Sequence, residues 1–247
     1  MFSIVIPCYN EKQNLKYLFE KMSAFHNKHT SQKIEIILVD NGSIDGSELE
    51  MSVLINLHEH LKGVVKILTL NTNEGYGNGI LQGLSVASGD WLCWTHADLQ
   101  TDIEDTFRAY EKIINCSDRV IVKGNRIGRN IVDFIFTFGM SLISSFALGR
   151  WLSDVNAQPK MFHRTFYNEM KNPPRDFSLD LYLLNLAKVK GYEIQSIPVR
   201  FNRRIHGEAK GGGSLKTKWP LMKRTFKYIF TLRKSKLIES NEARIFN

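Results

Sequence analysis

Four short runs in the first hundred residues place acids, amides, an imidazole or glycines directly after an apolar stretch. They are Pro7-Cys8-Tyr9-Asn10-Glu11, Asp40-Asn41-Gly42-Ser43, the segment Asn71 to Gly79 with glycines at 75, 77 and 79, and Thr95-His96-Ala97-Asp98-Leu99-Gln100. A loop that only turns the chain needs none of these groups, and four of them in equivalent places suggest one composite site. Asp40, closing an apolar run, is placed to accept hydrogen bonds from a ribose or a base N–H. A dinucleotide enzyme would also need G-x-G-x-x-G after the first strand, where Pro7-Cys8-Tyr9-Asn10 stands instead, and no G-x-x-x-x-G-K-[ST] exists for a P-loop. A mononucleotide site with another phosphate strategy remains. His96, Asp98 and Gln100 alternate, and an extended chain would turn all three to one side. Such ligands suit Mg²⁺ or Mn²⁺ bridging a diphosphate, the metal neutralising charge on a leaving group.

The elements that must position these loops are legible as alternating short β-branched runs and longer helical patterns. Strands are expected at Phe2–Ile6, Ile34–Val39, Val64–Leu70, Trp91–Trp94 and Arg119–Val122, with helices at Glu11–Phe25, Ser47–His60, Asn78–Ala87 and Ile103–Ile114. That alternation predicts an α/β fold, a parallel sheet with helices on both faces. Ligands bind such sheets at the carboxyl ends of the strands, where the four polar loops fall. Asn10 with Gln13 has capping-box spacing for the first helix. The second half reads as a continuation: a helix near 131–148, a short strand at Lys160–His163, a helix over Leu179–Val189 and a strand over Glu193–Val199. No linker separates it, although Gly211-Gly212-Gly213-Ser214 is a flexible loop. The expected division is a domain over 1–215 and a basic amphipathic segment over 216–247.

Composition narrows the class further. With 247 residues, 43% hydrophobic and 11% aromatic, the chain can build a sizeable core and is not globally disordered. Three cysteines without a C-x-x-C suggest neither a disulfide framework nor a zinc site, and fit a reducing compartment. The start of the chain reads as a strand and not as a cleavable signal, so a cytosolic location is expected. Twelve basic residues and one acid lie between Arg200 and Lys236, so the net charge of +8 comes entirely from that stretch. Trp219, Phe226, Tyr228, Ile229 and Phe230 are interleaved there, the pattern of a basic helix lying on an anionic membrane surface or of a solvated helix packed on the domain. Nucleic acid is the weaker reading. The uncharged run from Phe134 to Gly149 is sixteen residues, too short to span a bilayer.

Taken together, the runs Ser3 to Glu11, Val39-Asp40-Asn41-Gly42-Ser43, Asn73 to Gly79 and His96 to Gln100 resemble the glycosyltransferase family 2 pattern, most of all its dolichol-phosphate-mannose-synthase-like branch of polyprenyl-phosphate sugar transferases. The resemblance covers about residues 2–215. It implies a GT-A, Rossmann-like fold, a nucleotide-sugar donor, a divalent cation and inversion at the anomeric carbon. It implies that Pro7, Tyr9, Glu11 and Asp40 hold the nucleoside, with Gly75, Ala97 and Arg126, the last in Gly124-Asn125-Arg126, completing the donor site. Asp98 matches the last acid of the family's D-x-D metal motif and Gln100 the glutamine that often follows. His96 stands where the first aspartate usually is, a softer ligand that favours Mn²⁺. Arg204-Ile205-His206-Gly207-Glu208-Ala209-Lys210 resembles the family's R-x-x-G-x-S-K, so that Arg204 and Lys210 would clamp phosphate oxygens.

Two acceptors follow from the resemblance. A polyprenyl phosphate is already anionic and needs little base catalysis, whereas a saccharide hydroxyl needs a base, for which Asp180 in Phe177-Ser178-Leu179-Asp180 is the candidate. The expectation is a peripheral transferase on the cytosolic face of a membrane that moves a sugar to a polyprenyl phosphate. The alternatives are a transferase elongating a surface polysaccharide with Asp180 as base, and a non-catalytic nucleotide-sugar binding protein.

Overall fold

The computed structural model describes residues 1–128, 142, 145–146, 149–202, 204, 206, 223 and 227–231. Strands β1 (Phe2–Cys8), β2 (Ile34–Asn41), β3 (Val65–Leu70), β4 (Trp91–Trp94), β5 (Val120–Ile127), β6 (Lys160–His163) and β7 (Glu193–Arg200) form one sheet in the order β3-β2-β1-β4-β6-β5-β7. Every pairing is parallel except those of β6, which runs antiparallel to both β4 and β5. The helices are α1 (Lys12–Lys28), α2 (Ser47–Leu57), α3 (Tyr76–Val86), α4 (Glu104–Ile113), the short α5 (Arg164–Asn168) and α6 (Leu179–Val189).

Helices cover both faces, and the strands show why. Phe2, Ile4 and Ile6 of β1 join Ile36 and Leu38 of β2 in a core shared with α1, α2 and α4; Val5, Ile37 and Val39 turn the other way into a core shared with α3 and α6. A strand buried on both faces reads as a continuous apolar run, as β1 and β2 do. Each side chain so buried stabilises the fold by ~1.5–3 kcal/mol. The register Cys8↔Asp40 sets the end of β1 beside the end of β2, and Phe2↔Trp91 sets β4 on its other side.

The expected capping box is not made. Glu11 occupies the cap position without a side-chain cap bond. Asn10 sits at φ 55°, where its Oδ1 accepts from Ile44 N–H at 2.9 Å and its own N–H donates to Ser43 Oγ at 3.0 Å. The neighbouring polar loop competes successfully for this asparagine, and the result ties the β1 and β2 loops together. The helix expected over 131–148 and the loop at 211–214 lie outside the described residues, apart from isolated positions. In the basic segment, residues 227–231 are helical and Ile229 is buried in the α3–α6 core. Among the described residues no helix is long and apolar enough to cross a membrane.

Candidate active site

The carboxyl ends of β1, β2 and β4 bring three acids and an arginine together. Arg204 donates to Asp98 Oδ2 at 2.7 Å and to Gln100 Oε1 at 3.1 Å. Asp98 is buried, and its Oδ1 accepts the Gln100 N–H at 3.1 Å. The chain therefore turns at Leu99, φ 59°, and does not extend from 96 to 100. Gln100 and Asp98 meet on Arg204, while His96 lies against Tyr76, ring centroids 5.6 Å apart. Burial raises the Glu11 carboxyl; an Asn14 hydrogen bond lowers it, Asp98 raises it and Arg204 lowers it, for a net rise. Asp40 is buried and accepts the Ser43 N–H at 3.1 Å. Asn202 N–H donates to Gln100 O at 2.8 Å and Gln100 Nε2 to Asn202 O at 3.2 Å, which lays the segment after β7 across the strand ends.

On the far side of His96 lies a buried polar group that sequence reasoning did not assemble. Lys160 Nζ meets Asp180 Oδ1 at 2.6 Å and donates to Ala157 O at 3.0 Å, with Lys160 fully buried. Burial lowers the Lys160 ammonium and the Asp180 carboxylate partly restores it, leaving it below its ordinary value. Gln158 Nε2 donates to Asp180 Oδ1 and to Tyr76 Oη, both at 3.1 Å. Asp180, the candidate base for a hydroxyl acceptor, is therefore paired in this structure with a buried lysine. The signal in the sequence was Lys160 itself, a charge opening the apolar run Met161-Phe162, since a fully buried lysine needs a partner. Burial lowers the His96 imidazole; Asp98 and Asp180 push it up, Lys160 and Arg126 down, and it stays lowered, so at neutral pH the ring keeps a free lone pair.

The remaining expected residues are placed as follows. Arg126 is held by Asp154, which accepts from its backbone N–H at 2.8 Å and its Nε at 3.0 Å and pairs with Nη2. Gly124 is required because a side chain there would collide with Gln158 O. Gly75, at φ 118°, has Arg175 O where a Cβ would stand, so no side chain fits there. Ala97 turns its methyl into the α1–α4 core, leaving only backbone to the loop. Pro7 and Tyr9 are half-buried beside Asp40. Lys210 lies outside the described residues.

Among the described residues no three His, Cys, Asp or Glu side chains are grouped to hold a metal ion. Asp98, a neutral His96 and the Gln100 amide oxygen nevertheless fit a hard divalent ion whose other positions are filled by substrate oxygens and water, as Mg²⁺ and Mn²⁺ sites often are.

A doubly covered, mostly parallel sheet with an acid-and-arginine site at its carboxyl edge defines a Rossmann-like α/β domain. The chain matches the model of the family described as Glycosyl transferase family 2 over residues 3–174, and it belongs to that family. It is 28% identical to the dolichol-phosphate mannosyltransferase of Saccharomyces cerevisiae over 87% of this chain and 82% of that one. It is 30% identical to an undecaprenyl-phosphate 4-deoxy-4-formamido-L-arabinose transferase of Aeromonas hydrophila over 86% of this chain, and spans 63% of that longer relative. Its fold superimposes with a TM-score of 0.71 on a glucosyl-3-phosphoglycerate synthase from Mycobacterium tuberculosis, solved with Mn²⁺, UDP-glucose and phosphoglyceric acid, at 12% identity over 95% of this chain and 80% of that one.

Proposed function

We propose that the chain is an inverting glycosyltransferase that moves one sugar from a nucleotide-sugar donor to a polyprenyl phosphate at a membrane surface. The observation that carries the phosphate acceptor over a saccharide hydroxyl is the burial of Asp180 against Lys160. A hydroxyl acceptor needs a base within reach, and the candidate base is spent on a lysine; a phosphate acceptor attacks without one. The names of the yeast and Aeromonas relatives support the same acceptor class.

In this reading Asp40, Glu11, Pro7 and Tyr9 hold the nucleoside, and Arg204 moves from Asp98 to the diphosphate. Arg126, half-buried beside Asp154, and Lys210 supply further phosphate contacts. A divalent ion on Asp98, His96 and Gln100 would neutralise charge on the departing diphosphate. The domain over 1–215 does the chemistry, and the basic segment over 216–247 meets anionic lipid on the cytosolic side, ~1 kcal/mol per exposed cation near such a surface. The test is turnover of UDP-glucose and GDP-mannose with Mn²⁺, against undecaprenyl phosphate in vesicles on one side and soluble oligosaccharides on the other. Lipid-linked product alone supports the proposal; saccharide product alone overturns it.

A further inference from the structure

Beside His96 the site carries an aromatic pair that the roles above leave unused. Tyr76 opens α3 and Phe177 lies just before α6; their rings stack with centroids 4.7 Å apart and planes 8° from parallel. Phe177 is 37% exposed, so the pair offers an open ring at the catalytic edge, where a phenylalanine serving only the core would be covered. The inner ring is fixed. Gln158 Nε2 donates to the Tyr76 phenol and to Asp180. A carboxylate can only accept, so Asp180 dictates which end of the amide faces it. Gln158 Oε1 is left as a buried acceptor with no partner. Burial, then Asp180 and Asp98, hold the phenol far above its ordinary value, so it remains a donor.

We propose that the open face of Phe177, backed by the fixed Tyr76 ring, forms the platform on which the donor's transferred sugar lies. This rests on the nucleotide-sugar reading above. In a nucleotide sugar the ring is bonded directly to the terminal phosphate, so a diphosphate at Asp98 and Gln100 must leave its sugar close by, on the His96 side. The nucleoside end is assigned to Asp40 on β2. A hexose offers what such a surface recognises, a C–H face that packs on an aromatic ring.

The experiment is calorimetric titration of the full chain with UDP, UDP-glucose, GDP and GDP-mannose, each with Mn²⁺, repeated for Phe177→Ala and Phe177→Trp. Phe177→Ala is expected to weaken the sugar nucleotide by about tenfold while its parent diphosphate changes less than about twofold, and Phe177→Trp to restore the difference. Melting temperatures near wild type show that the variants fold. Equal weakening of both ligands, or none of either, overturns the platform and leaves the donor site standing. Failure of the wild type to bind any of the four overturns the donor reading and the platform with it.

Discussion

Lys160 on β6 and Asp180 on α6 form an ion pair of 2.6 Å with side-chain exposures of 0% and 3%, directly behind the loop that carries His96. Removing one member of such a pair leaves a buried charge without compensation, at a cost of ~3–5 kcal/mol, whereas replacing both by apolar groups avoids that penalty. Lys160→Met and Asp180→Asn are each expected to lower the melting temperature by on the order of 10 °C. Lys160→Met/Asp180→Leu should recover most of it. If Asp180 is a counter-ion and not a base, the double variant keeps turnover within about tenfold, where loss of a general base costs ~10²–10⁴. Melting curves and initial rates on the three variants decide it.

A divalent ion held by Asp98, as proposed above, would compete with Arg204, whose guanidinium sits on Oδ2 at 2.7 Å. An opposite charge at that distance stabilises the carboxylate and opposes a second cation. Arg204→Ala is therefore expected to tighten binding of Mn²⁺ alone by about tenfold, ~1.4 kcal/mol. The same change should cut turnover ~100-fold or more, because the arginine is then missing from the diphosphate. Electron paramagnetic resonance titration of free Mn²⁺ against the nucleotide-free protein reads the first effect, and a steady-state assay the second. Unchanged Mn²⁺ affinity would remove Arg204 from the metal site.

Much of this site was legible because strand ends are legible. Apolar β-branched runs fix where β1, β2 and β4 stop, so the loops holding Glu11, Asp40 and Asp98 had to share one edge, and they do. Family membership, shown over residues 3–174, and the doubly covered sheet agree with the reading from residues. What escaped were contacts that depend on chain segments far apart. Tyr76, Gln158, Lys160 and Asp180 span more than a hundred positions and meet only because β6 inserts antiparallel between β4 and β5, a crossing that no local period encodes. The left-handed turn at Leu99 escaped as well: it breaks the alternation that a non-glycine residue would ordinarily preserve, so Gln100 does not follow Asp98 on an extended segment.

Gly124 tests how tightly that crossing is built. Its backbone N–H donates to Pro159 O at 2.8 Å, and an added Cβ would collide with the carbonyl of Gln158. Backbone cannot swing aside as a side chain can, so Gly124→Ala must push the Gln158–Lys160 segment off β5. A loss of ~2–4 kcal/mol is expected, in the range of overpacked or network-breaking substitutions. Denaturant unfolding measures it. Asn125→Ala, at the next, exposed position, should change stability by less than ~0.5 kcal/mol and serves as the control.

At the opposite end of the sheet, Glu35 sets the acid limit of the fold. Burial raises its carboxyl, but hydrogen bonds from Lys66 at 2.5 Å, Ser3 Oγ at 2.5 Å and both the N–H and Oγ of Ser88 at 2.8 Å outweigh burial and bring it from 4.5 to about 2. A folded value below the unfolded one means that the native state binds its proton later. The contribution is therefore fully present above pH 4.5 and disappears as pH falls toward 2. Its size above that window is at most ~3 kcal/mol, because Lys66 is itself largely solvated. Wild type should thus exceed Glu35→Gln in melting temperature at pH 6, and the gap should narrow steadily between pH 4.5 and 2. A gap that stayed constant across that range would mean that the carboxylate's charge contributes nothing and that only its shape holds Ser3 and Ser88 together.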